Sequence, residues 1–171
     1  MKGEEFIRRL EDLKAKKAWT RARAVLRRSL AFPPGAYPPA MPYVEPYVGK
    51  AEGWRREAYY LVAALYALKD GAHRPDRTLA RALREEGRGR DSASLERRFL
   101  ALLDADRDQV ASRLRRAVAL VEGGLDFGRL LDDLRFWFDP NRRVQARWAR
   151  EFYGLEAEAD LSEEKQEEVE G

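Results

Sequence analysis

Asp104, Asp106 and Asp108 alternate along the chain like the carboxylates that open a calcium-binding loop. Such a loop wants Gly at its sixth position and a bidentate Glu at its twelfth. Those places hold Gln109 and Arg115, so the trio is expected to form a turn between helices. Gly87-Arg88-Gly89-Arg90 lacks the preceding strand and the spacing of a phosphate-cradling fingerprint, and reads as a mobile loop. His73, the one histidine, stands beside Arg74-Pro75 with no nucleophile near it in sequence and reads as a surface residue. Asp132 and Asp133 are adjacent, so on a helix they diverge by about 100° and cannot share one substrate. They are expected to pair with Arg129 or Arg135. With no Cys and a single His there is no thiolate or imidazole cluster to hold a metal. The expectation is a protein that is not an enzyme, without metal or cofactor.

The basic residues are better organised. On a helix from Ala18 to Leu30, at 100° per residue, Trp19, Ala22, Val25, Leu26 and Leu30 fill one arc while Arg21, Arg23, Arg27 and Arg28 fill the opposite one. Arg113 and Arg116 lie three apart on one flank of a later helix. Arg143, Arg147 and Arg150 form an i, i+4, i+7 stripe opposite Val144, Trp148 and Phe152. Like charges at this spacing repel by a few tenths of a kcal/mol, about 0.2–0.5 per pair. Acids interleave at Glu96 and Asp106 but scarcely within the stripes, which are therefore expected to face a polyanion. There is no recognition helix of a helix-turn-helix and no RNA-binding sheet with exposed aromatics. The expected mode is contact with the nucleic-acid backbone, without base readout. Arg outnumbers Lys 26 to 7, which fits bidentate phosphate contacts and fits a GC-rich coding bias equally well.

Helices must carry these stripes. Ala, Leu, Arg and Glu dominate and almost no segment alternates with period two. The expected fold is all-α, a compact helical bundle of about seven to nine helices. Helices are expected at Glu4–Leu13, Ala18–Leu30, Trp54–Leu68 (buried), Thr78–Leu83, Ser94–Leu103, Asp108–Val121, Phe127–Phe138 (capped by Asp126) and Arg142–Tyr153. Trp19, Trp54, Trp137 and Trp148 fall on apolar faces and are expected in the core. Pro33 to Pro46 holds six of the eight prolines and should run extended over the surface, tying helices together.

Charge divides the chain. Residues 1–155 hold 32 of the 33 basic and 22 of the 30 acidic residues, a balance of +10, and the last sixteen residues balance at −7. The expected organisation is a nucleic-acid-binding body over 1–154, with a Pro-rich connection at 33–50, followed by an acidic tail over 155–171. Asp160-Leu161-Ser162-Glu163 has capping-box spacing and is expected to open an exposed helix. The tail is placed to compete with polyanions for the basic faces. The longest uncharged apolar stretch, Ala58 to Leu68, is too short to span a bilayer, and Met1-Lys2-Gly3-Glu4-Glu5 is unlike a signal sequence. A cytoplasmic protein is expected.

Three stretches carry a resemblance. Thr20-Arg21-Ala22-Arg23-Ala24-Val25-Leu26-Arg27-Arg28 resembles the early A-x-L-R-R signature of the small subunit (CasB) of the type I-E CRISPR surveillance complex, Cascade. Ser94-Leu95-Glu96-Arg97-Arg98-Phe99 with Leu114-Arg115-Arg116 is similar to that family's E-R-R-F and L-R-R segments. Leu125-Asp126-Phe127, Leu130, Leu134 and Trp137, continuing into Arg147-Trp148-Ala149-Arg150-Glu151-Phe152-Tyr153, resembles its C-terminal pattern. Their order and spacing over residues 20 to 153 make the match specific.

The resemblance implies an all-helical, non-catalytic subunit present as a pair. It would lie beside the subunits that carry the CRISPR RNA and the large subunit, and help hold target DNA open as an R-loop in antiviral defence. Its basic positions map onto Arg27, Arg28, Arg55, Arg97, Arg98, Arg116, Arg142 and Arg143. The expected nucleic-acid contacts are these eight together with Arg21, Arg23, Arg113 and Arg147 from the stripes. The other reading of the residues is a helical adaptor whose basic faces contact acidic protein partners.

Overall fold

A computed structural model of the chain describes residues 1–88 and 91–156. Among these residues there are nine α-helices and no strand. They are α1 (Gly3–Lys14), α2 (Trp19–Arg28), α3 (Met41–Val48), α4 (Gly53–Leu68), α5 (Leu79–Glu86), α6 (Ser92–Leu103), α7 (Val110–Leu120), α8 (Phe127–Arg135) and α9 (Arg143–Tyr153). Short 3₁₀ turns cover Ser29–Ala31 and Pro38–Ala40. No described helix is long and apolar enough to cross a membrane.

The core is organised around α4. From Ala58 to Leu68 it carries no charge, and eleven of its sixteen residues are buried. A helix apolar on all sides must be covered on all sides, and α2, α3, α7 and α8 pack around it. Its polar groups find partners. Trp54 donates from Nε1 to the Leu134 carbonyl, the Tyr59 hydroxyl donates to the Met1 carbonyl at 2.8 Å, and the Tyr66 hydroxyl donates to Glu11 at 2.7 Å. Where α1 crosses α8, a Cβ on Gly3 would stand 1.8 Å from the Gly128 carbonyl oxygen. Only backbone fits between the two helices there, and the Gly3 amide donates to Asp132 at 2.8 Å.

The Pro-rich segment departs from the extended course expected for Pro33–Pro46. Phe32 and Tyr37 stack with ring centroids 4.8 Å apart, and the chain then coils through the 3₁₀ turn into α3, which contains Pro46. Pro38 and Pro42 occupy first-turn positions, where the missing amide would have had no helical partner. Pro46 breaks one bond of a two-turn helix. That loss is offset by burial of Val44 and Val48 and by Glu45, which accepts from the Tyr60 hydroxyl and from Arg56 Nη2 at 2.9 Å.

Helix ends shift for local reasons. Asp91, not Ser94, caps α6 and accepts from the Ser94 amide at 3.3 Å. The start expected at Asp108 moves to Val110, because the Asp106 carboxylate takes the amide protons of Asp108 and Gln109 at 3.0 and 3.1 Å. That is the helix-connecting turn expected of the three carboxylates. Asp126 caps α8 as expected, accepting from the Arg129 amide at 2.9 Å. The helix stops at Arg135 rather than Phe138, since a tighter turn sends Trp137 into the core and leaves Phe136 and Phe138 outside. Trp54, Trp137 and Trp148 are core, whereas Trp19 is half-buried, edge-on to Tyr66. The expected helix at Asp160 and the Gly89-Arg90 half of the loop lie outside the described residues.

Candidate nucleic-acid interface

Helix α2 turns Ala22 and Leu26 inward, and its arginines outward as the wheel requires. Those arginines do not stand alone. Asp70, just past α4, accepts from Arg23 at 2.8 Å and lies 3.8 Å from Arg27. Arg21 and Arg28 are exposed and have no ion pair among the described residues.

Helices α6 and α7 pack side by side and enclose an open groove of about 470 Å³. Leu95 and Phe99 of α6, Ala117 and Leu120 of α7, and Leu83 of α5 form its floor; Arg98, Arg113 and Arg116 stand on its rim. Arg113 donates to the Ala101 carbonyl at 2.7 Å, so it braces one helix against the other. Arg97, Arg98 and Arg116 are exposed and unpaired among the described residues.

The start of α9 is tied to the end of α6. Arg142, in the left-handed region at φ 52°, donates to the Leu103 carbonyl at 3.0 Å and to Asp104 at 3.2 Å. Arg143 is exposed in a recess that it shares with Phe136 and Asp139. Arg147 is bound to the buried Asp133, which also accepts from Trp148 Nε1 at 2.8 Å. Asp133 thus pairs with neither Arg129 nor Arg135, whereas Asp132 lies 3.7 Å from Arg135 as expected. Arg55 is exposed, with its guanidinium 5.2 Å from the centre of the Phe136 ring. That contact is a cation–π pair.

The structure brings together residues that the stripes kept separate. A second recess, of about 340 Å³, joins Ser29, Leu30 and Phe32 at the end of α2 to Ser112 and Arg115 of α7. Arg115 was absent from the expected contacts, although it is exposed and unpaired among the described residues. It points about 100° away from Arg116, so the doublet reaches from one recess to the other. The signal was present in the wheel, where Arg115 lies off the Leu114–Val118 arc.

Sequence reasoning also missed Glu151. It is buried, accepts from Thr78 Oγ1 at 3.0 Å, and has Arg81, Arg129 and Arg147 at 3.9–4.0 Å. Burial, helped by the nearby Glu156 charge, pushes its carboxyl above the ordinary range, and the Thr78 bond with the Arg81 and Arg129 guanidiniums only partly opposes this. A group whose folded pKa is raised costs stability when charged, and that cost disappears as pH falls through the folded pKa. Glu151→Gln keeps an acceptor for Thr78 and removes the charge. It is expected to raise Tm at pH 8, and the gap over the parent should close by about pH 4, near the unfolded carboxyl pKa. Melting curves across that range check it. His73 is half-buried rather than a plain surface side chain, and its Nδ1 accepts from the Phe127 amide at 3.2 Å. It holds a turn in place.

An all-helical fold with paired arginines between its helices and unpaired ones on its surface is the class of protein defined so far. Residues 22–153 match the family model for CRISPR-associated protein Cse2, and the chain belongs to that family. It is 67% identical over 171 residues to the CRISPR-associated protein Cse2 of Thermus thermophilus, with 98% of each chain covered. It is similar to the crystal structure of a Cse2-family protein from the same organism, with a TM-score of 0.85 and 68% identity over 90% of this chain and 99% of that one. The fold also matches a chain of a CRISPR RNA-guided surveillance complex, with a TM-score of 0.72 and 24% identity over 94% and 96%.

Proposed function

We propose that this chain is a non-catalytic subunit of a type I-E CRISPR RNA-guided surveillance complex, Cascade, and that it grips nucleic-acid backbone without reading sequence. Its polyanions would be CRISPR RNA and target DNA. Its protein neighbours would be the subunits that carry the CRISPR RNA, the large subunit and a second copy of itself, in the cytoplasm. The contacts would be Arg21, Arg28, Arg97, Arg98, Arg115, Arg116 and Arg143, with Arg55 beside them. Arg23, Arg27, Arg113, Arg142 and Arg147 hold the surface in shape. Exchange of a DNA duplex for a guide–target heteroduplex is nearly balanced, so a few phosphate contacts can tip it toward the opened form.

The observation that carries this reading is that the seven arginines named first are exposed and unpaired among the described residues, while Arg23, Arg27, Arg113, Arg142 and Arg147 beside them already have partners. A protein that needed arginine only to neutralise its own acids would not leave these over. The test is the salt dependence of binding to DNA of unrelated sequences. Log affinity should fall linearly with log salt, by about 0.9 per duplex phosphate neutralised, and equally for all sequences. A flat dependence would overturn the proposal.

A further inference from the structure

The chain leaves the described structure at α5 and α6, the helices that supply part of the groove's lining. The Phe152 ring stacks on Phe99, a floor residue of that groove, with centroids 4.2 Å apart, and the Tyr153 hydroxyl donates to Glu96 one turn earlier on α6 at 2.7 Å. Gly154, at φ +72°, turns the chain, and Leu155 is left 45% exposed. Glu156, the first acid of the tail, is forked onto Arg81 of α5, accepting from Nε at 3.1 Å and from Nη2. Arg81 holds that carboxyl below its ordinary range. Arg81 is on the helix that supplies Leu83 to the groove floor but faces about 200° away from it, so the tail must pass around α5 or α6 to reach the groove.

The groove is unfilled by the described chain and has two chemical features, an apolar floor and a rim of guanidiniums. Residues 157–171 have the complement. They hold seven acids against Lys165, and two large apolar residues, Leu161 and Val169. Leu161 lies between Asp160 and the pair Glu163-Glu164, so it offers one apolar side chain flanked by carboxylates. Length is no obstacle. Fifteen residues reach about 50 Å extended, at roughly 3.3 Å each, and about 22 Å as a helix.

We infer that residues 157–171 of this chain dock on the α6–α7 groove, with Leu161 on its apolar floor and the neighbouring carboxylates on Arg98 and Arg116, and so compete there with bound nucleic acid. The tether makes the competition intramolecular. A segment of this length is present at its own groove at an effective concentration on the order of millimolar. The docking rests on the groove and the tail alone; only the competition rests on the proposed function.

The test uses the full chain carrying a photo-crosslinking side chain in place of Leu161, irradiated at low salt without nucleic acid. Crosslinks should fall on α6 and α7 within the same molecule, and drop several-fold in the Arg98→Glu/Arg116→Glu variant or at high salt. Crosslinks scattered over other helices, or absent, would overturn the docking. So would crosslinks formed equally between isotope-labelled and unlabelled chains, which would place the segment on a second copy. The competition is read separately with Leu161→Asp, which should tighten DNA binding several-fold at low salt and have little effect at high salt. Unchanged affinity would overturn the competition and leave the docking to the crosslinks. If the parent chain binds no DNA, the proposed function fails while the crosslinking result still stands.

Discussion

Replacing Asp133 by Ala is expected to lower the stability of this protein by about 3–5 kcal/mol, the cost of breaking a buried ion pair from one side. Asp133 is 6% exposed and closes a three-residue link in which Arg147 and the indole of Trp148 both donate to its carboxylate. Without it the Trp148 Nε1 loses its acceptor deep in the core, and Arg147, one-third exposed, is left with only the more distant Glu151, 4.0 Å away. In a chain of this size each kcal/mol moves Tm by about 2–4 °C, so a fall of roughly 6–20 °C should appear in thermal melts. Asp133→Asn keeps one acceptor and should lose less. Arg147→Ala should also be costly, because it strands a buried carboxylate, and the double variant should cost clearly less than the two single losses combined. An Asp133→Ala chain that melts with the parent would show that this link contributes nothing.

The largest effect on binding is expected from Arg98→Ala/Arg115→Ala/Arg116→Ala. Each phosphate contact contributes about 0.9 to the salt slope, which at 0.1 M salt relative to 1 M corresponds to about a tenfold change in affinity. Removing three should weaken DNA binding by roughly 10²–10³-fold, lower the slope by about 2.7, and act alike on all sequences. None of the three has a partner among the described residues, so Tm should stay within a degree or two of the parent. The contrast is Arg23→Ala/Arg27→Ala. That pair gives up the shared Asp70 contact on the surface, a loss of about 0–1 kcal/mol, with a smaller change in binding. If the triple variant binds like the parent, arginines on α6 and α7 are not the contact surface.

The helices were legible because their signals are local. The charge-free run from Ala58 to Leu68 announces a helix covered on all sides, and Asp126 caps the helix beginning at Phe127 where a short side chain with an acceptor belongs. The fate of the arginine stripes was not legible, because their acids come from elsewhere. Asp70 stands 47 residues from Arg23, Asp104 stands 38 from Arg142, and Asp133 faces Arg147 across two helices. A helical wheel shows which side an arginine faces and not what waits there. The same limit hid Arg115, whose place beside the end of α2 depends on how two helices pack. Pro46 misled for a related reason, since helix propensity counts the lost bond but not the burial of Val44 and Val48.

Helix α6 is fastened to α9 at both ends, by Arg142 on Leu103 and Asp104 at one end and by Phe152 on Phe99 with Tyr153 on Glu96 at the other. The guanidiniums it carries are therefore mounted at fixed intervals, like teeth on a rack. If the proposed nucleic-acid contacts form there, binding would cost the freezing of side chains, about 0.5–1.5 kcal/mol each, and little reorganisation of the backbone beneath them. A rack of fixed pitch makes unequal demands on its partners. A duplex, with its own rigid phosphate spacing, must match it or forgo contacts, whereas a single strand can adjust its backbone to every tooth.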